Sequence, residues 1–98
     1  MEFSAEDFSN EQLHYLFLGM RLGLDIKAYA KPDFNTQQMH EIMIGLRNGL
    51  DVLAYADSRF TQHQMRLIRR GLELGLDVTR YANISLTYDE MYEIYLSL

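Results

Sequence analysis

Apolar residues recur along the chain at steps of three and four, in runs separated by polar and glycine-containing breaks. Leu13, Leu16 and Met20 form one stripe, Met39, Ile42 and Leu46 a second, Met65, Ile68 and Leu72 a third, and Met91, Ile94 and Leu98 a fourth. This spacing gathers the apolar side chains of each run on one face of a helix. The stripes repeat every 26 residues, and so do Phe8, Phe34, Phe60 and Leu86, the aspartates Asp25, Asp51 and Asp77, and the Tyr-Ala pairs that begin at Tyr29, Tyr55 and Tyr81.

Each unit opens as a helix start. Ser9, Asn35, Thr61 and Thr87 stand as N-caps, and Gln12, Gln38, Gln64 and Glu90 follow at the third helical position, completing a capping box. The residue before each cap is Phe or Leu, and the fourth helical position holds Leu13, Met39, Met65 or Met91, which predicts a hydrophobic staple. Gly23, Gly49 and Gly75 suit a left-handed stop, with Leu24, Leu50 and Leu76 as the apolar residue after it. A helix of about 13 residues, roughly 20 Å, is implied.

Asp25, Asp51 and Asp77 then read as caps of a second helix of about five or six residues, which is too short to stand without packing on the first. Lys31-Pro32-Asp33 is the first connecting loop, where proline fits because no helix continues. The mid-helix glycines Gly19, Gly45 and Gly71 each cost about 1 kcal/mol relative to alanine, so another backbone is expected to approach closely there. The sequence thus predicts an all-α fold: a short solenoid-like array of three long-helix/short-helix hairpins at 8–33, 34–59 and 60–85, with a half repeat at 86–98, in one domain.

The run Phe-x-x-x-Gln-Met-x-x-Ile-x-x-Gly-Leu-x-x-Gly-Leu-Asp-Val-x-x-Tyr-Ala is nearly complete from Phe34 to Ala56. It resembles short helical repeats of largely uncharacterised proteins from Gram-positive gut bacteria, their phages and their mobile elements. That resemblance, over residues 8–98, implies a bacterial or phage origin and an accessory role, and it transfers no catalytic residue.

Composition narrows the chemistry. A 48% hydrophobic content argues against a disordered tail, and a net charge of -5 describes a mildly acidic protein. With no cysteine, disulfides, thiolate catalysis and cysteine-based zinc sites are excluded. The opening residues, with Glu2, Glu6 and Asp7, lack the basic-then-apolar order of a secretory signal, and no run is long enough to span a membrane, so an intracellular, cytoplasmic protein is expected.

Two departures from the repeat mark candidate functional residues. In the third unit Arg69 and Arg70 replace Phe17-Leu18, Met43-Ile44 and Tyr95-Leu96 of the other units, with Arg66 one turn earlier and Arg80 beyond. They are expected either to pair with Glu73 or the acidic ends, Arg70 laying its stem over Leu76, or to form a partner-binding or anion-binding patch. In the last helix Tyr88, Tyr92 and Tyr95 lie at i, i+4 and i+7, where the other units are mostly polar. Such a stripe offers large contact area with little rotamer loss, unless the rings are tucked inside.

Catalytic signatures are missing. His14 and His40 recur in successive units without a third ligand, Asp25, Asp51 and Asp77 are explained by capping, and no phosphate loop or nucleophile motif is present. No metal and no cofactor is expected. The sequence therefore points to a non-enzymatic protein-protein interaction module, of the kind a phage or mobile element uses to block a host factor, with Tyr88, Tyr92, Tyr95, Arg66, Arg69 and Arg70 as the contact residues. Its partner is another protein or a second copy. The alternatives are a nucleic-acid-associated module, for which these arginines supply few phosphate contacts, and a self-assembling structural protein. Gly49→Val is expected to destabilise more than Arg69→Ala.

Overall fold

A computed structural model describes residues 4–98; Met1, Glu2 and Phe3, including part of the acidic opening, lie outside the described residues. Four α-helices, α1 (Asn10–Arg21), α2 (Thr36–Arg47), α3 (Gln62–Glu73) and α4 (Tyr88–Ser97), alternate with 3-10 turns, and no strand occurs among the described residues. The turns are Ala5–Asp7, Ile26–Ala28, Val52–Ala54 and Val78–Arg80. Each long helix packs on the next in chain order, and each of the last three turns packs back on the helix before it.

The helix starts form as their residues dictate. Ser9, Asn35, Thr61 and Thr87 each accept the third-position backbone N–H, while the side chain at that position accepts the cap's own N–H, as Gln38 does from Asn35 at 2.8 Å. Two otherwise orphaned donors per helix are thereby satisfied. The glycine stops are equally regular. Gly23, Gly49 and Gly75 have φ of 75°, 71° and 75°, and Leu24 N–H donates to the Gly19 carbonyl at 2.9 Å while Gly23 N–H donates to Met20, a Schellman ending.

The second helix of each unit is shorter than its sequence suggests. Only Ile26–Ala28, Val52–Ala54 and Val78–Arg80 are helical, as single 3-10 turns capped by Asp25, Asp51 and Asp77. The backbone leaves helical geometry at the tyrosine that follows, with φ of -134° at Tyr29, and this turns the ring back over α1. Its hydroxyl donates to the Tyr15 carbonyl at 2.7 Å; Tyr55 reaches Glu41 in the same way at 2.7 Å and Tyr81 reaches Leu67 at 2.8 Å.

This lock explains the mid-helix glycines, and the close neighbour is a side chain rather than a backbone. A Cβ added at Gly19, Gly45 or Gly71 would overlap the hydroxyl of Tyr29, Tyr55 or Tyr81. Removing that carbon clears the path by which the phenol reaches a carbonyl one turn earlier. The three tyrosines are fully buried, in one apolar cluster that runs from Phe8 to Met91.

Burial also raises the pKa of these phenols, to about 12 for Tyr29 and Tyr81 from the usual 10.0, and Tyr55 rises further under burial, with Arg69 opposing the rise and Glu41 and Glu73 adding to it. The folded state thus favours the neutral phenol. Its contribution to stability is complete below about pH 10 and lost as pH climbs through about 12. In an alkaline titration, three of the seven tyrosines should ionise only as helical circular dichroism disappears. Complete phenolate formation before any helix is lost would contradict the lock.

Candidate interaction groove

The departures from the repeat converge where α3 meets α4. Register explains how. In every adjacent pair, the earlier helix offers the position of Glu41 to its successor, and the later helix answers with the positions of His40 and Met43. Thus Tyr15 of α1 sets its ring edge-on to His40 of α2, with centroids 5.6 Å apart, and Glu41 of α2 receives Arg66 and Arg69 of α3. At α3 and α4 the equivalent positions, Leu67, Tyr92 and Tyr95, line one groove.

A groove of about 280 Å³ results, lined by His63, Arg66, Leu67 and Arg70 on the α3 side and Tyr88, Tyr92 and Tyr95 on the α4 side. The tyrosines form a ladder. Their ring centroids are 6.0 Å apart from Tyr88 to Tyr92 and again from Tyr92 to Tyr95, with interplanar angles of 10° and 19°. Tyr95 is half-buried, its ring edge-on to Tyr81, whereas Tyr88 and Tyr92 remain 40% and 42% exposed. The stripe is therefore tucked in at one end and open along the rest.

The arginines divide. Arg69 turns away from the groove, its side chain 13% exposed, and donates from Nε to Glu41 at 2.9 Å and from a terminal nitrogen to Glu73 at 2.8 Å. Arg66 places Nε 3.2 Å from the other Glu41 oxygen while its side chain stays 45% exposed. Arg70 is exposed and makes no ion pair among the described residues. Of the six residues picked from the sequence, five share the groove and Arg69 stands outside it.

The partner of these arginines also differs from expectation. Glu73 does pair with one of them, Arg69, but the principal acceptor is Glu41, only 2% exposed, rather than either acidic end. Glu41 does not stand out among equivalent positions of the units, because Tyr15, Leu67 and Glu93 there already differ from one another. The signal lay between columns, since an acid stands at the forward position of one unit and two bases at the answering positions of the next.

The lining carries guanidinium, imidazole and phenol groups and no carboxylate, so hydrogen-bond donors exceed acceptors. Its chemistry suits an anionic or carbonyl-rich ligand surface with aromatic or aliphatic contact. Among the described residues no group of three His, Cys, Asp or Glu can hold a metal ion, and His14 and His40 each contact the Tyr15 ring edge-on. No helix among those residues is long and apolar enough to cross a membrane. Comparison with protein-family models, curated proteins and solved structures finds no match.

Proposed function

We propose that the chain is a stacked helical-repeat module, three long-helix/short-turn units at 8–33, 34–59 and 60–85 with a half unit at 86–98, that holds a partner protein in the groove between α3 and α4. The dimensions support the stack. Four helices side by side, each about 9 Å from the next, span roughly 40 Å including side chains, against a longest extent of 42 Å. A helix of 12 residues is about 18 Å long, which fits the 23 × 17 Å cross-section.

The groove itself carries the functional reading: an open tyrosine ladder facing Arg66 and Arg70 across a carboxylate-free floor. Tyrosine and arginine dominate the energetics of protein interfaces because they bring large area and directed donors together. We read this surface as a binding site rather than a catalytic one. In the setting that the repeat resemblance implies, such a module acts by occupying and blocking a host protein. The sequestration of Arg69 by Glu41 and Glu73 leaves too few exposed cations here for a nucleic-acid role to be preferred.

The test is site-directed photocrosslinking in a bacterial host. A crosslinker at position 92 should trap a discrete partner band, and one at Leu53, an exposed residue of the Val52–Ala54 turn, should not. Tyr92→Ser should weaken capture of that partner roughly 30-fold, the equivalent of about 2 kcal/mol for a central aromatic contact. Equal adducts from both positions, or capture indifferent to Tyr92→Ser, would remove the groove from consideration.

A further inference from the structure

Two ridges of matching length face each other across the groove. On α3, His63, Arg66 and Arg70 follow one another at steps of three and four residues, a column that climbs about 10 Å along the helix. On α4, Tyr88, Tyr92 and Tyr95 follow at steps of four and three, and their stacked rings advance 6.0 Å each time. One ridge supplies hydrogen-bond donors, two of them guanidinium groups, and the other an aromatic wall. All three residues of the α3 column are exposed.

What the lining lacks selects the kind of segment that fits. An extended chain laid along the groove brings a backbone N–H at nearly every residue, and no carboxylate is present to accept one. A helix satisfies its own backbone and presents side chains alone. Its residues three and four apart form a column, so acids at that spacing rise in step with the α3 column while apolar residues one position further on stand against the rings. A space of about 280 Å³ takes the side chains of one such face, and the helix itself lies above it. Charge narrows the choice further. The cavity between α2 and α3, of about 210 Å³, has Glu41 in its lining, so an acidic column is directed to the α3–α4 groove instead. Asp89, Glu90 and Glu93 are exposed on the helix that carries the ladder, and they would repel a phosphate backbone where it leaves the groove. A short acidic column ends before reaching them.

We propose that the groove takes an amphipathic helix of the partner protein, its acidic column against His63, Arg66 and Arg70 and its adjoining apolar column against Tyr88, Tyr92 and Tyr95. The inference rests on the reading of the groove as the binding site. Arg70 supplies the charge, being exposed and without an ion pair among the described residues. Arg66 holds Glu41 through Nε, and its exposed side chain lines the groove as well. Directed donors on one wall and ring faces on the other fix which way round the helix lies, because reversing the two columns sets carboxylates against the tyrosine rings.

Fluorescence anisotropy with designed peptides tests this on the intact chain. The probe is an end-capped, alanine-based helix of about four turns with glutamate on one column and leucine on the next. It should bind once per chain, more weakly as salt is added. The same peptide with lysine for glutamate, or with a central proline that breaks the helix, should bind roughly tenfold more weakly or worse. Arg70→Glu should weaken the glutamate peptide roughly 30-fold and strengthen the lysine peptide, with the circular dichroism unchanged because the side chain is exposed. Tyr92→Ser should weaken both. A glutamate peptide that does not bind, or whose affinity ignores Arg70→Glu, would overturn the acidic helix, and the groove would still stand if the photocrosslink at position 92 forms. Affinity that survives Tyr92→Ser, or a single-stranded oligonucleotide that binds more tightly than the peptide, would overturn the proposal too. Loss of the position-92 crosslink is the separate result that would remove the reading beneath it.

Discussion

Gly45→Ala should lower stability by about 3 kcal/mol, even though alanine is the better helix former. The gain in propensity is about 1 kcal/mol. Against it, the new methyl overlaps the Tyr55 hydroxyl and stands 2.6 Å from Val52 Cγ1, in a region where Tyr55 is fully buried. Overpacking of this kind costs about 1–3 kcal/mol, and displacing the phenol leaves its O–H without the Glu41 carbonyl, which costs about 1–3 kcal/mol more. For a domain of this size the fall in Tm is roughly 15 °C. Tyr55→Phe introduced into the same chain should recover part of the loss, since it removes the atom that the methyl meets. Thermal denaturation of the two variants beside the parent chain measures this directly, and a Gly45→Ala protein as stable as the parent would mean that the tyrosine does not lie over the helix.

How legible this arrangement was depends on whether a residue acts within its own unit or between units. Caps, capping boxes and glycine stops are satisfied by backbone within a few residues, so Ser9 with Gln12, or Gly23 with Leu24, could be read from spacing alone. The tyrosine lock could not. Gly19 and Tyr29 recur together at a fixed separation, and that co-recurrence was the available signal, but the short helix was expected to continue through Tyr29. Only a backbone that leaves the helix at that residue aims the ring back at Tyr15. Leu98 shows the converse limit: its register places it in the inward stripe, yet it is 39% exposed because no element covers the end of α4 among the described residues.

The candidate site was legible as a set of oddities and not as a shape. Tyr88, Tyr92 and Tyr95 differ from their counterparts in the other units, and so do the arginines, but nothing local says that Arg66 and Arg70 face the tyrosines while Arg69 does not. That division is set by an angle. Arg69 stands one turn after Arg66 on the side of α3 that meets α2, where Glu41 waits, and Arg70 is rotated by a further residue toward α4. A difference of one position in the helix decides between a buried ion pair and an open groove.

Arg69→Ala is accordingly expected to be the more damaging of two changes that the sequence alone ranks the other way. Gly49 has φ of 71° with no atom within 4 Å of an added Cβ, so Gly49→Val meets only the left-handed backbone strain, about 2 kcal/mol. Arg69→Ala leaves Glu41, 3% exposed at its side chain, with the single contact to Arg66 Nε, and releases Glu73 to its bond from Asn48 Nδ2 at 3.2 Å. Leaving a buried charge wholly unpaired costs about 3–5 kcal/mol, and the half-exposed Arg66 offsets only part of that, so a loss of about 3 kcal/mol is expected. Removing both sides should not. Glu41→Leu with Arg69→Met installs what the neighbouring units carry at these positions, Leu67 and Met43, both buried. The double variant should melt within about 1 kcal/mol of the parent or above it, since a packed apolar pair needs no charge to be desolvated. Chemical denaturation of Arg69→Ala, Gly49→Val and the double variant gives the ranking. Should the double variant prove as unstable as Arg69→Ala, the ion pair would be supplying stability in its own right, and the apolar joints on either side would be poor guides to the one between α2 and α3.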